Sequence, residues 1–322
     1  LEEAGDAQAF RLCCFCKGKE KVEHKTAIVL AMFGTAVEAA LPGLLNIQSR
    51  MTARFPATPV RIAFTSNIIR KKWQKRAADP AYLKAHPEIP ADILRVRTVL
   101  ATVADLQDQG YDSIVLQPTH LVMGEEFLDL GTYVDGLLRM GTVKKAKYKP
   151  FQKIALGRPA LGIYGTAHPY AEDIRAAAAA LAADAERAAA QQAALVYMGH
   201  GNEHFPSAGS YLELAARMRD MHPQVLTLIG NVEGFPSLDD VITELRQAGA
   251  AKVLLKPCMI VAGEHSVSDM AGPDKNSWKS ILEQNGFAVI TAERGLGEND
   301  AFADLFVRNA AEAAADAGIV LK

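Results

Sequence analysis

Continuous aliphatic runs alternate along the chain with amphipathic or alanine-rich stretches. Such runs suit parallel strands buried on both faces. The first is Thr26–Phe33, which ends in Gly34-Thr35 and follows a polar, irregular segment, residues 1–24. After it the pattern predicts a helix over Val37–Phe55, a strand over Val60–Phe64 and a polar stretch through Pro90. A helix over Ala91–Gln109, closed by Gly110, and a strand over Ser113–Gln117 complete a β-α-β-α-β pattern. Gly141–Lys153 is basic and turn-rich, and a strand-like run, Ile154–Ile163, leads to a long alanine-rich helix, Ala171–Gln192, expected to link two halves. The second half repeats the plan, with strands at Ala194–Met198, Val225–Ile229, Lys252–Lys256 and Ala288–Thr291. Its helices fall near Ser210–Arg219, Leu238–Ala248 and Trp278–Gln284. A last helix, Asp300–Ala317, spaces Phe302, Leu305, Phe306 and Ala310 to lie against a sheet.

An internal duplication turns this pattern into geometry. Gly110–Glu126 aligns without a gap on Gly249–His265, 139 positions later, with six identities in seventeen positions. Glu126 and His265 are thus equivalent. Likewise Val29–Gly34 matches Val196–Gly201, so His200 holds the strand end that Phe33 holds in the first half. The fold expected is α/β: two similar domains, each a four-stranded parallel sheet flanked by helices, with the active site in the cleft between them. The boundaries expected are an N-terminal extension, residues 1–24, then domains over 25–165 and 166–298. The C-terminal helix, 299–322, is expected to pack back on the N-terminal domain.

Composition narrows the partners. In 322 residues, 35 Lys and Arg against 37 Asp and Glu give a net charge of -2, so no global field exists to hold a polyanion, and no nucleic-acid partner is expected. No apolar run approaches the roughly 20 residues that span a bilayer, so no membrane partner is expected. Four cysteines are too few for a disulfide framework. Three of them, Cys13, Cys14 and Cys16, crowd together, but neighbouring cysteines point in different directions, which weighs against a metal thiolate site. A cytoplasmic location is the default expectation. The sequence begins at Leu1, which leaves an exported form open.

Ligands of open α/β sheets bind outside the carboxyl ends of the strands. His200 lies there in Met198-Gly-His-Gly-Asn202, Glu264 and His265 follow the strand at Lys252, Glu125 and Glu126 follow the strand at Ser113, and Glu233 follows the strand at Val225. Two neutral imidazoles and a carboxylate suit a divalent first-row metal, with flanking glycines that let backbone come close. A lone loop histidine is more often a satisfied structural residue; the coincidence of His200 and His265 in one half with Glu126 at the equivalent point of the other favours a site. Neither phosphate-loop pattern occurs at a strand-to-helix turn, so no nucleotide is expected. No G-x-S-x-G elbow occurs, and Cys258 lies in an apolar strand end where a thiol is inert. Basic clusters at Arg70–Lys72 with Lys75 and Arg76, and at Lys144, Lys145, Lys147, Lys149 and Lys153, suit either a polycarboxylate ligand or a solvated face. Met270 and Trp278 suit either a wall for a flat ligand or core packing.

These motifs resemble the anaerobic sirohydrochlorin cobaltochelatases (CbiK type) of the class II chelatases, related in fold to ferrochelatase. The carriers are Ala31-Met-Phe-Gly-Thr35, Ala63-Phe-Thr-Ser66, Gln117–Phe127, Met198-Gly-His-Gly201, Val232–Ser237, Val261-Ala-Gly-Glu-His265, Asp269-Met-Ala-Gly272, Ser277-Trp278 and Gly295-Leu-Gly-Glu298, in family order over about Lys25–Lys322. The resemblance implies a cleft that takes a tetrapyrrole, sirohydrochlorin, and ATP-independent insertion of divalent cobalt, the substrate metal, in cobalamin synthesis. It implies metal binding by His200, His265 and Glu126, with His200 and Glu126 catalytic, Glu126 completing the site or accepting protons. His120 is a candidate for contact with the macrocycle or for a structural role, and Glu233 and Glu264 are candidates for orienting the imidazoles. Iron or nickel insertion and a non-catalytic tetrapyrrole or metal carrier are the alternatives, and a homo-oligomer stays open. The chain departs from the family in its Ala-Met-Phe-Gly strand end, a lengthened stretch at Tyr133–Lys153 and the cysteine-bearing N-terminus.

Overall fold

The computed structural model describes residues 24–140, 149–202, 207–263 and 266–322, without the side chains of Ser266 and Val267. Two four-stranded parallel sheets organise it. The first contains β1 (Lys25–Met32), β2 (Val60–Phe64), β3 (Tyr111–Pro118) and β4 (Lys153–Leu156), in the order β2-β1-β3-β4. The second contains β5 (Ala194–Gly201), β6 (Thr227–Glu233), β7 (Lys252–Cys258) and β8 (Ala288–Thr291), in the order β6-β5-β7-β8. The central strands are aliphatic on both faces because helices cover both sides: every residue of Ala27–Met32 and Leu195–Met198 is buried without residual exposure.

Strand register establishes the duplication independently of the sequence match. Ile28 pairs with Val60 as Leu195 pairs with Thr227. Val29 pairs with Leu116 as Val196 pairs with Leu255. Leu116 pairs with Leu156 as Leu255 pairs with Thr291. Equivalent residues therefore lie at equivalent heights, and Phe33 and His200 leave the carboxyl ends of matching strands. Gln117 and Lys256, also equivalent, are both buried polar groups that bond locally, although Gln117 Oε1 has no partner among the described residues. Gln117 Nε2 donates to the carbonyls of Pro118 and Arg158 at 2.7 and 3.0 Å. Lys256 Nζ bonds both oxygens of Asp184 at 2.6 Å.

Helices fill both faces of each sheet. In the first half they are α1 (Leu41–Arg54), α2 (Asn67–Ala77), α3 (Pro80–Ala85), α4 (Ala91–Leu94), α5 (Val99–Asp108) and α6 (Glu125–Arg139). Then come α7 (Tyr170–Ala180), α8 (Ala182–Ala190), α9 (Ala208–Met221), α10 (Leu238–Gln247), α11 (Trp278–Gln284) and α12 (Asp300–Asp316). One large core joins the inner faces of both sheets through residues of α1, α7, α9 and α12, while separate outer cores lie under α5 and α6 and under α10 and α11. α12 lies against α1 and β3: Arg50 pairs with Asp304, and Ala57 N donates to the Lys322 carbonyl at 2.9 Å. Among the described residues no helix is long and apolar enough to cross a membrane.

Four expectations change. The polar stretch before Pro90 contains α2 and α3. α2 buries only Trp73 and so carries little apolar periodicity, but Ser66 caps it, its Oγ accepting from Ile69 N. The helix expected over Ala91–Gln109 is two, because Arg97 bridges Ala63 at the edge of β2 and Thr98 caps α5. The alanine-rich helix breaks at Leu181, where Asn299 Nδ2 takes the Ala180 carbonyl at 2.7 Å. The run expected as a strand over Ile154–Ile163 leaves the sheet after Leu156, since Gly157 passes so close to Gln117 that a Cβ would lie 1.9 Å from its Oε1.

Candidate functional site

β5 delivers His200 to its place. Met198 and the residues before it are buried, and the strand then runs into Gly199-His-Gly201. Both glycines are required by close approach. A Cβ on Gly199 would lie 2.5 Å from Asn231 Oδ1, and one on Gly201 would lie 1.9 Å from the Glu233 carbonyl oxygen. Gly201 also adopts φ 74°, where side chains are strained. β5 and β6 consequently touch at their ends, with Gly201 registered on Glu233. Past Glu233 the chain turns through Gly234, φ 80°, and a cis Phe235-Pro236 bond. Asn231, which is buried, fixes this turn: its N donates to the Pro236 carbonyl at 2.6 Å and its Nδ2 to the Phe235 carbonyl at 2.9 Å.

The result is a histidine and a carboxylate side by side. His200 Nδ1 lies 3.0 Å from the Gly201 carbonyl, and Glu233 Oε2 lies 4.0 Å from the same nitrogen. A carbonyl only accepts, so Nδ1 is the donor in this contact, as in the tautomer whose lone pair lies on Nε2. Glu233 adds negative charge on the protonated side, the arrangement that orients and strengthens a ligating imidazole. Both side chains are about half exposed.

Glu126 lies in the first turn of α6, after β3, and is half-buried. An acidic first turn, Glu125 and Glu126, also favours the helix electrostatically. His265 and Glu264 lie outside the described residues. Among those that are described, no three His, Cys, Asp or Glu side chains form a cluster able to hold a metal ion. Gly263, two residues before His265, approaches the other half: a Cβ there would lie 3.7 Å from Thr35 Oγ1, two residues beyond Phe33. The strand ends of the two halves thus adjoin.

His120 follows β3. It is partly buried, and neither ring nitrogen has a hydrogen-bond partner among the described residues; burial pushes its pKa down to about 4. The loop after Phe33 is held by α2, with Trp73 Nε1 donating to the Thr35 carbonyl at 2.7 Å and Arg76 Nη1 to the Ala36 carbonyl at 2.8 Å. Arg76 also packs over the rings of Trp73 and Tyr82 and pairs with Glu38. One member of the first basic cluster is therefore structural. Lys144, Lys145 and Lys147 of the second cluster lie outside the described residues. Met270 and Trp278 are buried in the outer core of the second sheet, so packing accounts for them. Cys258 is buried, and burial pushes its thiol up to about 12.

The flanking glycines, Gly199 and Gly201, are legible in the sequence, whereas Asn231 and Phe235 are not among its candidate residues. The signal for them was the Asn231-Val-Glu-Gly-Phe-Pro236 turn, whose glycine and proline mark a tight reversal beside Glu233.

Comparison with known proteins gives the site its context. The chain is 32% identical over 283 residues to the sirohydrochlorin cobaltochelatase CbiKC of Nitratidesulfovibrio vulgaris, covering 88% of each chain. It is 28% identical over 284 residues to the sirohydrochlorin cobaltochelatase of Salmonella typhimurium, covering 88% of this chain and 94% of that one. The fold is similar to that of SirB from Bacillus subtilis, solved with Fe3+, at TM-score 0.58 and 15% identity, covering 92% of this chain and 100% of the other. It is also similar to the sirohydrochlorin chelatase SirB of Bacillus subtilis subspecies spizizenii, solved in complex with cobalt, at TM-score 0.55 and 15% identity, covering 91% and 96%. Residues 26–315 match the model of the cobalt chelatase (CbiK) family, and with this span and these relatives the chain belongs to that family.

Proposed function

We propose that this chelatase inserts divalent cobalt into sirohydrochlorin without a nucleotide, with His200 as the principal metal contact. The observation that carries the reading is the His200 and Glu233 pair on a glycine-flanked strand end, in a member of the cobalt chelatase family. Insertion exchanges the metal's water and protein ligands for four ring nitrogens and releases two pyrrole N–H protons. A labile site with few protein ligands suits that exchange, because tight protein coordination would oppose transfer. His200 Nε2 supplies one donor, and His265, two residues after Gly263 in the chain, supplies the second. Glu126, brought by the duplicated connection of the first half, completes the site or accepts a proton; the Gly201 carbonyl keeps His200 in the ligating tautomer, with the Glu233 carboxylate beside it.

Single-turnover absorbance spectra of sirohydrochlorin with cobalt test this. The wild-type chain converts the free macrocycle to the cobalt complex faster than the uncatalysed reaction. His200→Ala and His265→Ala abolish the acceleration while the thermal melt stays put, and Glu126→Gln lowers it. Full activity in either histidine variant overturns the assignment, and binding without conversion by the wild type identifies a carrier instead. Competition with ferrous iron and divalent nickel identifies the preferred metal.

A further inference from the structure

Three large apolar side chains stand in water at the carboxyl ends of strands. Phe33, after β1, is 50% exposed; Ile68, in the first turn of α2 after β2, is 72% exposed; Phe235, after β6, is 58% exposed. The backbones of Phe33 and Phe235 are held in place. Ser66 N donates to the Phe33 carbonyl at 3.4 Å, and Trp73 holds the Thr35 carbonyl just beyond. Asn231 holds both the Phe235 and the Pro236 carbonyls. Phe235 and His200 stand on neighbouring strand ends, whereas Phe33 occupies in the first half the position that His200 occupies in the second. The two edges meet where Thr35 approaches Gly263.

We propose that Phe33 and Phe235 are the aromatic contacts for the flat macrocycle, one contributed by each half, with Ile68 extending the first. This rests on the proposed function and names the residues that hold its organic substrate. The chemistry follows from the ligand: a tetrapyrrole presents two broad apolar faces within a carboxylate fringe, so its faces demand aromatic or aliphatic cover that a metal site alone does not give. Duplication explains the division of labour. The second half uses its β5 end for the metal through His200, and the first half, with phenylalanine at the matching point, uses its β1 end for the ring.

The test separates macrocycle binding from metal binding. Metal-free sirohydrochlorin is titrated into the wild-type chain and the Phe33→Ala, Phe235→Ala, double and Phe235→Tyr variants, followed by absorbance. Cobalt alone is titrated by calorimetry. Each alanine variant weakens macrocycle binding by about tenfold and the double variant by roughly a hundredfold. Cobalt affinity is unchanged, and Phe235→Tyr restores the binding. Both side chains are exposed, so unchanged thermal melts accompany these effects. Macrocycle affinity in the double variant within about twofold of wild type overturns the inference. Equal losses of cobalt and macrocycle binding in Phe235→Ala overturn it for that residue, making it a support for the His200 and Glu233 turn. A wild-type chain that binds cobalt but no macrocycle overturns the proposed function, and this inference with it.

Discussion

Asp173→Asn is the most demanding test of how the two halves are held together. Asp173 lies in the first turn of α7 with 2% exposure, and accepts from Arg158 Nε at 2.6 Å, Arg158 Nη2 at 2.9 Å and Arg308 Nη2 at 2.6 Å. Arg158 is itself 8% exposed; its other partner, Glu312 of α12, accepts at 2.5 Å and is 35% exposed. Burial acts to lower the Arg158 pKa, but its hydrogen bonds to Asp173 and Glu312 outweigh it and hold the pKa above the ordinary value, so the guanidinium stays charged. Asn309, fully buried, donates to the carbonyls of Arg158 and Pro159 at 3.1 and 3.2 Å, tying the same segment to α12. Asparagine keeps the shape of Asp173 and removes its charge, leaving a buried cation with one partly exposed partner. Breaking a buried pair this way costs about 3–5 kcal/mol. Loss of the more exposed Arg308 contact adds less than about 1 kcal/mol. Urea unfolding followed by circular dichroism, wild type against variant, measures the change. Replacing both groups, Arg158→Met with Asp173→Leu, should recover most of the loss, because the two buried charges go together and the partners left behind, Arg308 and Glu312, are about one-third exposed. A loss below about 1 kcal/mol for Asp173→Asn, or a double variant as unstable as the single one, refutes the reasoning.

Two further outcomes follow from the site. Gly201→Ala sets a Cβ 1.9 Å from the Glu233 carbonyl at φ 74°, which must part the ends of β5 and β6. The left-handed backbone alone costs roughly 1–2 kcal/mol, and cobalt affinity measured by calorimetry should fall at least about tenfold; unchanged affinity would show that strand-end contact does not set the site. His120 has a pKa depressed to about 4, so its contribution to stability is complete above its unfolded value near 6.5 and is lost as pH falls through 4. The full loss amounts to about 3 kcal/mol. His120→Gln should flatten the urea midpoint against pH across that window, and curves that stay parallel to wild type would refute it.

Architecture was legible because parallel strands under two helical layers are written as unbroken aliphatic runs. Such runs stand out in Thr26–Phe33 and Lys252–Lys256 without any knowledge of their neighbours. The duplication was legible for the same reason, and with it the equivalence of Phe33 with His200 and of Glu126 with His265. His200 and Glu233 were recognisable as strand-end polar residues.

What the sequence withheld depends on groups far away in the chain. The break in the alanine-rich helix at Leu181 needs Asn299, more than a hundred positions later, and the end of β4 needs the side chain of Gln117. α2 hides from pattern analysis because its tertiary contacts concentrate on Trp73 and Arg76 rather than on a stripe. Sequence by itself determined the two sheets, their order of elements and the residue types at the strand ends, since these follow from local burial and period. Only tertiary structure decided that Glu233 faces His200 across two glycines too crowded for a Cβ, and that Phe33 and Phe235 stay in water. Both depend on how closely separate segments approach, a distance that periodicity does not encode.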